Sequence, residues 1–117
     1  MSTRLGIMRN TIEDNVEYGN LIQSYNTPLA VYIPQSNQNI LFYSDDCRAE
    51  GQDRVSNTTR KHLRKYKEFY LSENAAVGVE VPHASILLLH MILRNPEHSV
   101  KYVESVIKEL YILYIEN

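Results

Sequence analysis

The segment LAVYIPQSNQNILFYS, residues 29–44, decides the fold of the N-terminal half of the chain. Its two ends, Leu29–Ile33 and Ile40–Ser44, are short runs rich in β-branched and aromatic residues, which favour strands. The residues between them, 34–39, have the proline, serine and amide composition of a turn. Because proline cannot donate to a strand ladder, Pro28 fits only the start of the first strand and Pro34 its end. The segment therefore predicts a β-hairpin.

Further strands are predicted around this hairpin. Asn20–Tyr25 and Leu5–Met8 are the candidates upstream of it. Downstream, Asp45–Asp53 is acidic and poor in apolar residues, which predicts an exposed loop that contains Cys47. Val77–Val81 fits either a further strand or an extended linker, and its sequence leaves both open.

A helix is predicted to follow the loop. Ser56 or Asn57 can cap its first amide groups, and the apolar pattern continues to about residue 71. Leu63, Tyr66 and Tyr70 recur at three- and four-residue spacing and form one apolar face with Phe69. We expect helix 56–71 to be amphipathic and to pack on the sheet.

The opposite face of this helix is basic. The segment 54–67 holds six Lys or Arg residues and no Asp or Glu, whereas the rest of the chain has 6 basic and 14 acidic residues, a net charge of −8. The candidate partner-binding residues are Arg54, Arg60, Lys61, Arg64, Lys65 and Lys67. Basic side chains near a helix start oppose the helix dipole by a few tenths of a kcal/mol each, which favours an anionic partner.

Three interpretations of the basic segment remain open. It can bind an acidic surface of a protein, or it can bind nucleic-acid phosphates with Tyr66 and Tyr70 as nearby stacking faces. Alternatively it is a solvated face that pairs with acidic loop residues such as Asp45, Asp46 and Asp53. The net charge of −2 weighs against a dedicated DNA-binding protein, which is usually basic overall.

The C-terminal part is predicted to be a helical hairpin, residues 82–116. Pro82 suits the first turn of a helix His83–Leu93, and Asn95-Pro96 supplies a cap and first-turn proline for the next. Both helices are apolar around most of their circumference, at 86–93 and 110–115, so both need covering on more than one side. A chain of this size has little to cover them with, which predicts a homo-oligomer. The candidate self-association residues are Leu110, Leu113 and Tyr114.

The whole chain, 1–117, is expected to form one α+β domain. Residues 1–53 supply a small antiparallel sheet and loops, the amphipathic helix packs on it, and the helical hairpin follows. A single cysteine excludes an internal disulfide, and Met1–Asn10 has no secretory pattern, which together favour the cytoplasm. Apolar runs are too short to predict a membrane span.

No catalytic, cofactor or metal motif is found in the sequence, so we expect a protein that is not an enzyme. It has no glycine-rich phosphate cradle and no nucleophile elbow. His83 and His90 are seven positions apart, which lacks the close spacing of zinc helices, and His90 is better explained as a core histidine with a hydrogen-bond partner. Cys47 is either a reactive thiol, its pKa lowered by Arg48, or an incidental loop thiol.

Two short stretches carry a resemblance to a known family. They comprise Ser24, Tyr25 and Thr27, then Ser56, Thr58, Thr59, Lys61 and His62, with Tyr66 shortly after. In order and spacing they resemble a family of small bacteriophage proteins of unknown function, with a Ser-Tyr-x-Thr and a Ser-x-Thr-Thr-x-Lys/Arg-His stretch. The resemblance covers roughly residues 20–70 and implies a phage gene acting inside a bacterial host. It carries over no site residue.

The function expected from these observations is that of a small non-enzymatic interaction protein. With the phage resemblance, this becomes an inhibitor of a host or defence complex, similar to an anti-CRISPR protein, that acts by protein binding. The alternative is a module that binds the nucleic-acid backbone through segment 54–67.

Overall fold

One mixed β-sheet forms the middle of the molecule in the computed structural model, which describes residues 2–5, 8–35, 37–48, 51–95 and 97–115. Its six strands lie side by side in chain order. They are β1 (Ser2–Leu5), β2 (Thr11–Val16), β3 (Gly19–Ser24), β4 (Thr27–Ile33), β5 (Ile40–Tyr43) and β6 (Val77–Glu80). The first five strands pair antiparallel, and β6 joins parallel to β5.

The predicted hairpin is confirmed, with Ile33 opposite Ile40 at its closed end. The strand predicted at Asn20–Tyr25 is β3, and Val77–Glu80 takes the strand alternative rather than the linker. Of the strand predicted at Leu5–Met8, Leu5 is the last residue of β1, residues 6 and 7 lie outside the described part, and Met8 lies in a bend before β2. The strand β2 was missed, because its polar residues have low strand propensity.

Alternation along the strands gives the sheet two apolar faces. Leu21, Val31, Phe42 and Val79 are register partners on four successive strands and share one face. Their sequence neighbours, such as Ile22 and Leu41, point to the other face. Each face therefore needs its own cover.

Three helices supply that cover. The helix α1 (Asn57–Lys67) begins at the N-cap Ser56, whose Oγ accepts from the Thr59 amide at 3.1 Å, and continues as a π-helical turn, Glu68–Glu73. It packs on the face with Ile22. The helices α2 (His83–Arg94) and α3 (Val100–Ile115) both contribute to the core on the opposite face. The α+β prediction is thus confirmed, with the sheet between two helical layers.

The start of α3 was predicted wrongly. Asn95 closes α2 as its C-cap, and α3 begins at Val100. Ser99 takes the capping role, since its Oγ accepts from the Tyr102 amide at 3.2 Å. The first-turn proline of that prediction, residue 96, lies outside the described residues.

None of the helices in the described ranges is both long and apolar enough to cross a membrane.

Candidate functional site

Five of the six basic residues of segment 54–67 lie on the outer side of α1, and Arg54 precedes the start of the helix. Its inner side, with Leu63 and Tyr66, is buried against the sheet. Five of the six side chains are exposed and Lys67 is half-buried. We call this set, Arg54, Arg60, Lys61, Arg64, Lys65 and Lys67, the basic face.

Two surface clefts run along the basic face. Arg60, Arg64 and Lys67 surround a cleft of about 370 Å³ with Leu63 and Asp45. A more polar cleft of about 510 Å³ lies at the helix start, where Arg54 and Arg60 are among its lining residues. Lys61 and Lys65 each follow an arginine and therefore lie about 100° further around the helix. The basic face thus presents positive charge over a broad arc.

Pairing with acidic loops accounts for one member of the basic face. The Lys67 Nζ lies 3.7 Å from Asp45 Oδ1 and 4.3 Å from the centre of the Tyr43 ring. Asp46 is bonded instead by Arg48, which is not in the set, at 2.8 Å. Across the described residues, no other member of the basic face is in an ion pair. Of the ion pairs with acidic loops that the solvated-face interpretation predicted, the described residues form the Lys67–Asp45 pair.

The helix dipole acts in opposite directions on the two ends of the basic face. Arg64, Lys65 and Lys67 fall in the last turn of α1, where positive charge is favourable, rather than near its start. Arg60 and Lys61 lie nearer the start, and the first turn contains no acidic residue. The mismatch expected at the helix start therefore concerns Arg60 and Lys61.

A row of buried hydrogen bonds holds α1 on the sheet beneath the basic face. The Tyr66 hydroxyl donates to Thr11 Oγ1 at 2.9 Å, and the Tyr70 hydroxyl donates to a Glu13 carboxylate oxygen. Asn20 Nδ2 donates to the same Glu13 oxygen at 2.8 Å. Losing such a buried bond costs roughly 1–3 kcal/mol, so the row strongly favours one register of α1.

The π-helical turn completes this row. Tyr70 lies within it, stacked on Tyr32 of β4 with ring centroids 4.3 Å apart. Burial raises the pKa of the Tyr70 hydroxyl, and its hydrogen bond to Glu13 raises it further. The hydroxyl therefore stays protonated and remains a donor to the carboxylate.

The burial of Tyr66 and Tyr70 contradicts one assumption of the nucleic-acid hypothesis, that these rings are available for stacking. Both rings are at most 2 % exposed and lie between α1 and the sheet. They cannot stack on bases, as that hypothesis had assumed.

The stretches Ser24–Thr27 and Ser56–His62 meet at the end of the same row. Ser24 Oγ on β3 and His62 Nδ1 on α1 are hydrogen-bonded at 2.6 Å, and the Tyr25 ring lies 6.2 Å from the imidazole. Burial lowers the pKa of His62, and the neighbouring Lys61 lowers it further, so the ring is neutral at pH 7. A serine hydroxyl hydrogen-bonded to a neutral imidazole is the arrangement that a catalytic nucleophile and its base require. Because Ser24 is only 1 % exposed, the pair serves as a tie between β3 and α1.

The burial of Cys47 differs from the sequence prediction. The loop position predicted an exposed thiol, either an incidental one or a reactive one whose pKa Arg48 lowers, yet Cys47 is buried. Its Sγ donates to the Ser44 carbonyl oxygen at 2.9 Å, and burial raises the pKa of the thiol to about 12. The side chain is a core residue of the α1 side of the sheet.

The two histidines of α2 also have structural partners. His90 is 5 % exposed, and its Nε2 hydrogen-bonds to the Ala30 carbonyl oxygen at 3.0 Å, which confirms the core interpretation. His83 Nε2 lies 2.9 Å from the Pro28 carbonyl oxygen. In the described ranges, no group of three or more His, Cys, Asp or Glu side chains is placed to hold a metal ion.

Comparison with known proteins adds one relationship. The model of a family of unknown function, DUF8033, matches residues 3–79. The chain belongs to DUF8033. No curated protein and no solved structure matches it. The DUF8033 match covers nearly all of the sheet, the row of buried hydrogen bonds and the basic face, and it ends before α2.

The helices beyond the DUF8033 match carry most of the exposed apolar surface. Of the nine large apolar side chains exposed in the described part of the chain, eight lie on α2 and α3. Among the predicted self-association residues, Leu113 is 52 % exposed, whereas Leu110 and Tyr114 are half-buried against the core. On α2 the large exposed apolar side chains are Leu87, Leu88 and Met91, which were not among the predicted self-association residues, although the all-round apolar run 86–93 indicated them.

Proposed function

We propose that this member of DUF8033 is a non-enzymatic protein-binding module whose basic face docks on an acidic surface of a partner protein. One observation carries the proposal: within the described residues, five exposed Lys or Arg side chains, four on α1 and one just before it, have no ion-pair partner. Complementary charge speeds association and selects partners more than it adds affinity. The buried row beneath α1 supports the proposal, because it presents these charges from a rigid element.

An acidic protein is favoured over nucleic acid for two reasons. The tyrosines that would have supplied stacking faces are buried. The chain outside the basic face also carries a net charge of −8, which repels a phosphate backbone that extends past α1. A protein surface with a local cluster of carboxylates has no such extension.

The biological role that we propose is inhibition of a bacterial host or defence complex by a phage-encoded protein. The support is the resemblance of the Ser24–Thr27 and Ser56–His62 stretches to phage proteins, an argument by analogy. Such an inhibitor acts by occupying a surface, which needs no catalytic group.

A capture experiment with charge reversal tests the binding proposal. Tagged wild-type protein and the double variant Arg60→Glu/Arg64→Glu are used on nuclease-treated bacterial lysate at low and high salt. The control, Lys101→Glu/Lys108→Glu, makes the same change in net charge on α3, at the opposite side of the sheet. We expect salt-sensitive capture of an acidic protein by the wild type and the control, and its loss in the α1 variant.

Two results would contradict this proposal. One is equal capture by the α1 variant and the wild type. The other is a gel shift of a dT oligonucleotide at low salt that is abolished by Arg60→Glu/Arg64→Glu, because it would establish the nucleic-acid alternative.

The proposed function includes self-association. The support is the exposed apolar surface on α2 and α3, since soluble monomers rarely expose large contiguous apolar patches. The basic face lies on the other side of the sheet and stays open when the α2–α3 layer is covered.

A further inference from the structure

The two clefts at α1 divide the basic face into two groups of residues. Arg60 lines both clefts and so joins them, with Arg54 in the cleft at the helix start and Arg64 in the other. We call Arg54, Arg60 and Arg64 the cleft arginines. Lys61 and Lys65 are also exposed but line neither of these clefts. Residues of equal charge therefore differ in whether a partner meets them inside a cleft.

We infer that the cleft arginines bind an extended acidic segment of the partner protein, in which carboxylates occupy alternate positions. The inference rests on the proposed function and names the part of the partner that the basic face recognises. Among the exposed basic residues, those in the clefts are all arginines and those outside are both lysines. The planar guanidinium can donate two parallel hydrogen bonds to one carboxylate, which an ammonium group cannot do.

The size of the clefts favours an extended segment over a helix. A compact cleft of about 370 or about 510 Å³ is roughly 7–8 Å across, whereas a helix with its side chains is about 10–12 Å wide. An extended chain is narrower, because its side chains point alternately to two sides. A single row of side chains can therefore enter the clefts.

The spacing of the cleft arginines determines which positions of the segment are acidic. Arg60 and Arg64 are four residues apart, which is about 6 Å along the axis of α1. Alternate residues of an extended chain are about 6.6 Å apart and lie on the same side. Carboxylates at alternate positions of the segment therefore match the two guanidinium groups.

Carboxylates in both clefts limit the length of the segment. Asp53 lines the cleft at the helix start, and Asp45 lines the other. Lys67 pairs with Asp45 at 3.7 Å, but a hydrogen bond to Asp45 also raises the pKa of the Glu80 carboxyl, so this end holds two carboxyl groups and one ammonium group. A long polyanion would meet acidic groups at both ends, whereas a short acidic segment fits between them.

The alternative to a defined segment is a diffuse attraction to the positive charge of α1. In that case every exposed basic residue contributes alike, because attraction over a distance depends on charge and not on hydrogen-bond geometry. Arg60 with Arg64 and Lys61 with Lys65 carry the same charge one position apart on the same helix. The two pairs therefore form a matched comparison.

Fluorescence anisotropy with labelled peptides and the full chain tests the inference. The probe is a ten-residue peptide of four Glu and six Ser in which the Glu residues occupy alternate positions. The matched peptide has the same composition, with Glu at every third position. We expect the wild type to bind the probe at low salt and the matched peptide at least about threefold more weakly, because only the probe has the spacing of the cleft arginines.

Three double variants test the role of the cleft arginines. Arg60→Gln/Arg64→Gln should weaken binding of the probe at least about tenfold, and Lys61→Gln/Lys65→Gln less than about threefold. Arg60→Lys/Arg64→Lys keeps the charge but loses the parallel hydrogen bonds, so it should still weaken binding about threefold or more. All four positions are exposed, and thermal melts check that each variant is folded.

The other outcomes separate this inference from the proposed function. Equal losses in the two Gln pairs, or equal binding of the two peptides, would overturn the inference and leave the proposed function intact, because the basic face would then act as diffuse charge. No binding of the probe up to about 1 mM, with capture of an acidic protein from lysate that depends on Arg60 and Arg64, would also overturn the extended segment alone. The proposed function itself fails when charge reversal at Arg60 and Arg64 leaves capture from lysate unchanged.

Discussion

Lowering the pH from 7 to 5 should destabilise this fold through His90. The side chain is 5 % exposed on α2 and hydrogen-bonds to the Ala30 carbonyl oxygen. The pKa of His90 is lowered from 6.5 to about 4, mainly by burial; the Arg94 and His83 charges also lower it, and the Ala30 carbonyl and Asp14 partly oppose them. The imidazole is thus neutral in the folded protein at pH 5.

The sign follows from the protons bound in each state. Between pH 6.5 and about 4 the unfolded chain binds a proton at His90 and the folded chain does not, so stability falls as the pH falls. A difference of about 2.5 pKa units corresponds to about 3 kcal/mol in full, of which about 2 kcal/mol is lost by pH 5. For a domain of this size, that is a fall in Tm of roughly 8 °C. His62, whose pKa is also lowered, acts in the same direction.

The assay compares the wild type with His90→Gln, which keeps an N–H donor for the Ala30 carbonyl oxygen but does not titrate. Urea unfolding followed by circular dichroism at pH 7, 6 and 5 gives the free energy of unfolding of each protein. We expect the wild type to lose about 2 kcal/mol more than the variant between pH 7 and pH 5. Parallel losses in the two proteins would refute the assignment of this pH dependence to His90.

Three further predictions concern the framework that holds the basic face. Tyr66→Phe removes the buried donor to Thr11 and should lower the free energy of unfolding by roughly 1–2 kcal/mol in urea titrations; no change would show that the row of hydrogen bonds does not hold α1. Ala75 follows the π-helical turn with a φ of 53°, a conformation that glycine adopts more readily than alanine. Ala75→Gly should therefore stabilise the fold by about 0.5–1 kcal/mol. The same substitution inside α2, Ala84→Gly, should destabilise it by about 1 kcal/mol. Thermal melts of this matched pair should shift in opposite directions. Because Cys47 is buried with a pKa of about 12, a thiol reagent at pH 8 should label it only as fast as the protein unfolds, and rapid labelling in native buffer would contradict its burial.

The parts of the fold that depend on local pattern could be predicted from the sequence. The β4–β5 hairpin follows from two apolar runs and a turn, and the start of α1 follows from Ser56 and the apolar spacing after it. The pairing of β6 with β5 is parallel and non-local, since α1 lies between the two strands in the chain. Nothing in the local sequence specifies such a neighbour.

Side chains whose partners are distant in sequence account for the main errors. The strand β2 was not predicted because it contains the charged residue Glu13. The hydrogen-bond partners that allow this carboxylate to be buried, Tyr70 and Asn20, are brought to it by the fold and cannot be identified from the local sequence. Cys47 looked exposed because its neighbours in the loop are charged, yet the carbonyl of Ser44 and the core around Leu63 and Tyr66 enclose it.

The candidate site also has one property that the sequence predicts and one that only the fold reveals. The segregation of positive charge into segment 54–67 can be predicted from the sequence, because counting the charged residues is enough to find it. The contact between Asp45 and Lys67 brings together residues far apart in the chain, and it decides which of the charges remain available.

The position of the sheet between two helical layers has a consequence for how this protein can change. Side chains on opposite faces of a sheet share few neighbours, so substitutions on α1 and on α2 should have additive effects on stability. Residues of the basic face can therefore change without disturbing the exposed apolar side chains of α2. The match to DUF8033 ends close to this division, between the layer that carries charge and the layer that carries apolar surface.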